Sequence, residues 1–386
     1  MIKESNQSEI KNKNVLLRLD LNVPVFKGKI LSDFRILKSI PTIKNLLKNN
    51  NKIIILSHFG RPKEGLYDES FSLKIIINNL ENLLGEKVTF SKDWVNGVNF
   101  NGNNIVLCEN VRFQKGEKEN LPSLAKQISC LGDVFVFDAF GVSHRKEAST
   151  YGISDYLQTF SGDLLKNEVM NANKLLSSEK RPMTTIISGA KISTKLTLIR
   201  KLLSKSDNII LGGGILNTFL MAMSHEIGDS LVEKSFIEEA QEILNCADSK
   251  KIIMPLDVMV SSDTSLDNPE IRDISMVQSN DKILDIGEKT INRYIKVISE
   301  SSTIFWNGPL GYVEKSPFDN GTIKISKAIA SSGAYSVVGG GDTIPIIEAL
   351  NLQDKFSCLS TGGGSLLKFI EGEDLPILDK LGMYRI

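Results

Sequence analysis

Histidine occurs three times and cysteine four times in 386 residues. Cys108, Cys130, Cys246 and Cys358 lack the close Cys/His spacing of a zinc site, and a disulfide frame is foreign to a chain of this size. All four read as small buried hydrophobes. Charge of one sign is lacking as well: 46 Lys+Arg balance 46 Asp+Glu. No global field therefore draws the chain to nucleic acid or to an anionic membrane surface. No apolar run approaches the ~18 residues that span a bilayer, and the opening Met-Ile-Lys-Glu-Ser-Asn-Gln has no apolar signal core. The expectation is a cytoplasmic protein with no nucleic-acid or membrane partner. Also missing are a Walker A loop, the protein-kinase catalytic motifs, a nucleophile elbow and a zinc-hydrolase helix.

What is present is glycine in blocks. Gly212-Gly213-Gly214, Gly339-Gly340-Gly341 and Gly362-Gly363-Gly364 all fall in the second half, each after an apolar or β-prone run. A strand ending in glycines lets backbone N–H groups reach a bulky anion, and a helix starting there adds its positive end. The pattern points to phosphate, and to a nucleotide. None of the triplets continues to a glycine three residues on, where Asn217, Ile344 and Leu367 stand, so the dinucleotide fingerprint fails.

Length and 41% hydrophobic residues suit two domains rather than one core. Short apolar runs, Asn14 to Leu19, Lys52 to Leu56, Asn104 to Leu107 and Asp133 to Phe137, alternate with amphipathic stretches such as Ile36 to Lys48 and Leu73 to Leu84. The second half repeats this with Thr184 to Ile187, Asn208 to Leu211, Lys251 to Met254, Thr303 to Trp306, Tyr335 to Val338 and Lys355 to Leu359. The fold class expected is α/β, with two doubly wound parallel-sheet, Rossmann-like domains. Helical periodicity from Ser161 to Ser178 marks a bridge between them, serving as a hinge.

In open parallel sheets, ligands bind beyond the carboxyl ends of the strands. Arg18, Arg35, Arg61, Arg112 and Arg145 are all the arginines before Arg181, and four of them fall in strand-end segments: Arg18 to Asn22, Ser57 to Arg61, Glu109 to Arg112 and Asp138 to Arg145. Arg35 follows Asp33-Phe34. A chain that uses lysine for general charge keeps arginine where a bidentate fork grips phosphate or carboxylate. The alternative is that they pair with Asp20, Glu109 or Asp138 and merely fix loops. Arg18, inside its strand, fits that structural role best. His58 and His144 lie in the same segments and read as binding residues, not as an acid or base.

The second half offers Lys191 and Lys195, whose spacing of four places both on one helix face, aimed at a ligand or simply solvated. Asp342-Thr343 follows the second triplet as a carboxylate and hydroxyl for Mg²⁺ carrying nucleotide phosphates, or as a helix cap. Asn307-Gly308-Pro309-Leu310-Gly311 forms a loop able to hold a base or ribose, with Glu314 as hydroxyl acceptor. Trp306 reads as core. A polyanion-gripping lobe and a nucleotide-gripping lobe together suit phosphoryl transfer; a nicotinamide dehydrogenase lacks its fingerprint here, and a non-catalytic sensor has no need of Lys191.

Seven segments in order resemble the phosphoglycerate kinase family: Arg18 to Pro24, Ser57 to Pro62, Glu109 to Phe113, Asp138 to Gly141, Phe305 to Gly311, Gly339 to Thr343 and Ser360 to Gly364. The resemblance runs over essentially the whole chain. It implies an ATP:3-phosphoglycerate phosphotransferase acting in glycolysis, between 1,3-bisphosphoglycerate and ADP, by in-line transfer after domain closure. It further implies that Asp20, Leu21, Asn22, Arg35, His58, Phe59, Gly60, Arg61, Arg112 and Arg145 bind phosphoglycerate. Lys195, Gly212, Gly213, Asn307, Glu314, Gly340, Gly341, Asp342 and Thr343 would bind Mg²⁺ with ATP or ADP, Asp342 meeting the metal. Arg35, Lys191, Gly363 and Gly364 would surround the transferring group. Implied domains are 1–162 for phosphoglycerate, 163–178 as interdomain helix, 179–372 for nucleotide, and 373–386 as a tail packing back on the first domain, in a monomer. The chain departs from the family pattern at Glu147, Ser188, Thr194 and Glu288. Glu147 stands where a histidine often extends the basic patch, and Thr194, where many members have aspartate, leaves open what holds Lys195.

Overall fold

A computed structural model describes residues 9–263 and 265–384. The Met-Ile-Lys-Glu-Ser-Asn-Gln opening and the last two residues of the expected tail, Arg385 and Ile386, lie outside them. Contacts between Cα atoms divide the chain into two compact units. One runs to Asn173 and resumes at Gly364; the other is Lys174–Gly363. The division falls within the helix Asp163–Leu176. Residues 364–372, expected with the nucleotide domain, group instead with the first unit.

The first unit holds a six-stranded parallel sheet in the order Val88–Ser91, Ile105–Cys108, Lys52–Leu56, Asn14–Leu19, Val134–Asp138, Thr159–Ser161. Its central strands are buried on both faces, which is why they read as continuous apolar runs rather than alternating ones. Leu17, Ile55, Leu107 and Val136 join one core with Ile36, Ile40 and Ile43 from the helix Phe34–Lys48. Asp138 closes its strand by accepting the Leu165 amide at 2.8 Å, in the first turn of the helix Asp163–Leu176.

The second unit repeats the plan, in the order Ile252–Ile253, Asn208–Gly212, Met183–Ser188, Thr303–Asn307, Tyr335–Gly339, Cys358–Ser360, again all parallel. The two doubly wound sheets expected from the sequence are present. Unforeseen is a small antiparallel sheet of Glu270–Asp273, Asp257–Ser261 and Lys282–Ile286. The run at 355–359 begins as a 3-10 turn, and its strand spans only Cys358–Ser360. Cysteine also differs from expectation: Cys108 is buried, Cys130 is exposed and the other two lie between.

In both sheets the chain begins on a middle strand, moves outward to one side, then jumps to the other. The crevice at such a switch point is the natural ligand site. It lies beyond Leu19 and Asp138 in the first unit, and beyond Ser188 and Asn307 in the second.

The glycine triplets are not equivalent. A Cβ on Gly212 would press against the Leu310 side chain and the Ser188 hydroxyl, both at 2.7 Å, and one on Gly214 would overlap the Ala190 carbonyl. Gly213 has φ +60° and already donates its N–H to the Leu310 carbonyl at 3.1 Å. That triplet is explained by close backbone packing, and the Gly213 amide is not bare as expected. Cβ atoms on Gly341, Gly363 or Gly364 would meet nothing within 4 Å. Gly214→Ala is therefore expected to cost about 1–3 kcal/mol through overpacking, and Gly341→Ala to stay within about 0.5 kcal/mol. Urea unfolding of both variants checks this; equal losses would contradict the distinction.

Candidate active site

In the first unit, Arg18 sits inside its strand and is fully buried. Its donors are spent internally. Nε donates to Ser149 Oγ at 3.1 Å, Nη1 to the Leu19 carbonyl, and Nη2 faces His58 Nδ1 at 3.5 Å. Ser149 in turn donates its hydroxyl and amide to the buried Glu117 carboxylate. Burial lowers the Arg18 pKa, while the Glu117, Glu147 and Asp20 charges oppose that shift. Arg18 thus has the structural role its position implied.

Asp20 follows that strand. Burial alone would raise its pKa, but the Arg35 and Arg18 charges outweigh it and hold the carboxyl below its ordinary value. Arg35 Nη1 donates to Asp20 Oδ2 at 2.8 Å and to the Asn22 carbonyl at 3.2 Å. The Asn22 side chain accepts the Gly60 amide at 2.9 Å, and Arg112 Nη1 reaches the Gly60 carbonyl at 2.7 Å. One chain of bonds therefore gathers the loops holding Asp20, Asn22, Arg35, Gly60 and Arg112. Gly60 has φ +59°, a left-handed turn that favours glycine.

His58 is buried, and burial pushes its pKa down to about 3 despite the nearby Asp20. It is a neutral ring at physiological pH. A guanidinium only donates, so Nδ1 facing Arg18 is the acceptor and the proton sits on Nε2. His58 offers a hydrogen-bond donor rather than a charge. Arg61 is exposed and makes no hydrogen bond or ion pair among the described residues. Arg112 is buried, and its Nε has no partner.

Of the three carboxylates considered as loop-fixing partners, only Asp20 holds an arginine of this set. Glu109 instead binds Ser72 Oγ and the amides of Leu73 and Asn110, and Asp138 caps a helix. Two sets of contacts go beyond the sequence reading, which noted Glu147 only as a departure from the family pattern and His144 only as a binding residue. Glu147 lies between Arg112 and Arg145, at 3.6 and 3.5 Å. His144 accepts from Arg145 Nε at 3.3 Å and, through Nδ1, donates to Ser365 Oγ at 2.6 Å. Ser365 belongs to the helix Gly364–Glu371, which also packs Phe369 edge-on to Phe140 at 6.4 Å. Basic spacing alone cannot reveal a carboxylate folded in among arginines.

The second unit's site is built on Lys195. Its Nζ donates to the Ser188 carbonyl and lies 3.4 Å from the Asn307 carbonyl, one on each side of the switch point. A Cβ on Gly189 or Gly308 would sit 3.2 Å from that ammonium, so those glycines make room for it. Backbone carbonyls hold Lys195 here, not a carboxylate. Burial pushes its pKa down to about 8, with Asp342 partly restoring it. Lys191 does not share a helix face with Lys195. It is extended, at φ −129° and ψ 123°, ahead of the 3-10 turn Ile192–Thr194, whereas Lys195 opens the helix Leu196–Lys205. The Thr194 hydroxyl bonds the Lys191 carbonyl at 2.9 Å and fixes this corner.

Asn307 Nδ2 ties its strand to the Gly339 carbonyl at 2.7 Å. Trp306 is core, its Nε1 donating to the Gly308 carbonyl at 2.7 Å. Asp342 is exposed and unpaired among the described residues, and the helix Ile344–Ala349 has no side-chain cap hydrogen bond, which leaves the capping alternative unsupported. Thr343 is buried with its hydroxyl unpartnered. A free carboxylate beside an orphaned hydroxyl and an open glycine backbone suits a hydrated divalent cation brought in by phosphates. No cluster of three or more His, Cys, Asp or Glu able to hold a metal occurs among the described residues. Glu314 is exposed.

A family model described as phosphoglycerate kinase matches residues 5–373. The chain is similar to the phosphoglycerate kinase of Baumannia cicadellinicola, 46% identical over 375 residues and 96% of each chain. It is likewise similar to that of Francisella tularensis subsp. novicida, 44% identical over 378 residues, covering 97% of this chain and 96% of the relative. Among solved structures, phosphoglycerate kinase from Coxiella burnetii aligns with TM-score 0.85 and 41% identity, covering 99% of this chain and all of that one.

Lys195 yields a pH dependence. Its lowered pKa means the cation is present below about pH 8 and lost above it. An anionic nucleotide held by that charge should bind with constant affinity below pH 7 and weaken by up to about tenfold per pH unit above 8. Calorimetric titration with Mg-ATP from pH 6.5 to 9.5 checks this. Affinity that is flat across the range would remove the Lys195 charge from the binding site.

Proposed function

This chain belongs to the phosphoglycerate kinase family, and from that premise we propose which of its residues carry the reaction. The activity is phosphotransfer to a carboxyl group: 1,3-bisphosphoglycerate and ADP are interconverted with 3-phosphoglycerate and ATP. The acceptor carboxylate is already ionised, so no general base is needed. A loose transition state asks for in-line positioning and charge neutralisation.

Asp20, Leu21, Asn22, Arg35, His58 and Phe59 form one side of the proposed phosphoglycerate site, with Gly60, Arg61, Arg112 and Arg145 completing it. Arg61 and Arg112 bring unspent N–H donors, His58 a neutral one, and Asp20 holds Arg35 in place. Lys195, Gly212, Gly213, Asn307 and Glu314 border the proposed nucleotide site. There Gly212 and Gly213 let the backbone pack closely at the strand end, Glu314 offers an acceptor for a ribose hydroxyl, and Gly340, Gly341, Asp342 and Thr343 face the phosphates. Mg²⁺ entering with the nucleotide would be held by Asp342 and would neutralise phosphate charge. The transferring group we assign to Arg35, Lys191 and the backbone at Gly363 and Gly364, where a left-handed residue at φ +48° leads into a helix start.

The observation that carries this assignment is the unspent polarity: Arg61, Arg112 Nε, Asp342 and the Thr343 hydroxyl lack partners among the described residues. Because the two sets of groups lie in different units, in-line transfer requires the units to close on each other in turnover. The same reading takes 1–162 as the phosphoglycerate domain, 163–178 as the connecting helix and 179–363 as the nucleotide domain, with 364–372 and the tail 373–386 counted with the first unit, in a cytoplasmic monomer. Among the described residues no helix is long and apolar enough to cross a membrane.

Purified protein should drive NADH oxidation when a coupling dehydrogenase reduces the 1,3-bisphosphoglycerate it forms, requiring both 3-phosphoglycerate and Mg-ATP; no turnover would sink the assignment. Arg35→Ala is expected to lower kcat by about 10²–10³ with a smaller change in KM, whereas unchanged kcat would remove Arg35 from the transition state.

A further inference from the structure

Glu147 is the least expected member of the first unit's arginine cluster. Its backbone is fixed: the carbonyl accepts the amides of Thr150, Tyr151 and Gly152 at 3.2, 2.9 and 3.2 Å, and its own N–H donates to Thr150 Oγ1 at 3.1 Å. Thr150 Oγ1 also donates to the Arg145 carbonyl at 2.9 Å. The side chain is buried, and a single oxygen, Oε1, stands 3.6 Å from Arg112 Nη2 and 3.5 Å from Arg145 Nη1. Its other oxygen is buried without a partner, as is Arg112 Nε.

Those separations are longer than a charge-assisted hydrogen bond, which closes to about 2.7–2.9 Å. The carboxylate therefore attracts both guanidiniums without occupying their N–H forks. An ion pair built only to fix a loop would close one of those bonds and satisfy its second oxygen. Instead one negative charge is shared between two positive ones, each still able to donate.

We infer that Glu147 sets the affinity of this cluster for its anionic substrate, holding Arg112 and Arg145 together while cancelling one of their two charges. The inference rests on reading both arginines as phosphoglycerate ligands. Binding a substrate and its transition state equally more tightly does not raise kcat, and a multiply charged product must leave. Attenuating the cluster's field keeps ground-state binding weak without removing the forks.

The test is calorimetric titration of 3-phosphoglycerate into the full chain without nucleotide, at low and high salt, together with steady-state kinetics. Glu147→Gln should bind 3-phosphoglycerate roughly three- to tenfold more tightly at low ionic strength and converge on the parent protein at high salt. Its KM for 3-phosphoglycerate should fall, its kcat should not rise, and its KM for Mg-ATP should not move. Glu147→Met, uncharged and of similar volume, should do the same without a buried amide to satisfy, so the test survives if the Gln variant does not fold. Unchanged or weaker binding in a folded uncharged variant would overturn the inference and leave Glu147 a structural ion pair. Arg112→Ala and Arg145→Ala, run alongside, test the underlying reading separately. If neither weakens 3-phosphoglycerate binding, the site assignment fails whatever Glu147 does.

Discussion

Two polyanions can exchange a phosphoryl group only where their mutual repulsion is cancelled by charge already in place, and this chain answers that constraint with side chains it has fixed beforehand. In the first unit the fixed point is Arg18. Burying a guanidinium is costly unless it is hydrogen-bonded, and Ser149, Leu19 and His58 give each of its three nitrogens a partner. Around that anchor Asp20 stays ionised and aims Arg35, while His58 stays neutral. Local charge is placed by the fold and not by composition, since the chain as a whole carries none to spare.

The second unit meets the same demand with backbone. Lys195 spans two strand ends by their carbonyls, and glycine is required beside it: Gly189 and Gly308 have φ +148° and +93°, and a Cβ on Gly308 would run into the Ser188 carbonyl. Thr194 and Ser188 lie close to that corner without disturbing it. Thr194 ties the turn before Lys195, and Ser188 contributes its carbonyl together with a hydroxyl bond to Pro309. Glu288, the first residue of the helix Glu288–Ser299, pairs with Lys324 at an exposed position.

Much of this was legible beforehand because parallel strands buried on both faces leave uninterrupted apolar runs, and because arginine is rare enough in the first half for each one to be informative. Leu17, Ile55 and Val136 announced the sheet; Arg35, Arg61 and Arg112 marked out the segments in which the site is proposed. Four things were hidden for physical reasons. Lys191 and Lys195 have helical spacing, but the residues between them form a 3-10 turn, which sends the two along different paths. The triplet at Gly212 reads like the other two, yet only the packed backbone reveals that its glycines make room for Leu310 and Ala190. Glu147 was legible only as a departure from the family pattern, because an acidic residue in a basic segment looks like a solvated charge until burial places it between two arginines. The small antiparallel sheet escaped because Glu270–Asp273 is too polar to stand out as a strand.

If placed charges alone carry the transfer, no side chain forms a bond to phosphorus. Stereochemistry at the transferred phosphorus reads this directly, using ATP made chiral at the γ position and 3-phosphoglycerate as acceptor. A single in-line displacement inverts the configuration, and inversion is the result expected. Retention would mean two displacements through a phosphorylated residue, with His58 the first suspect, and would contradict the account.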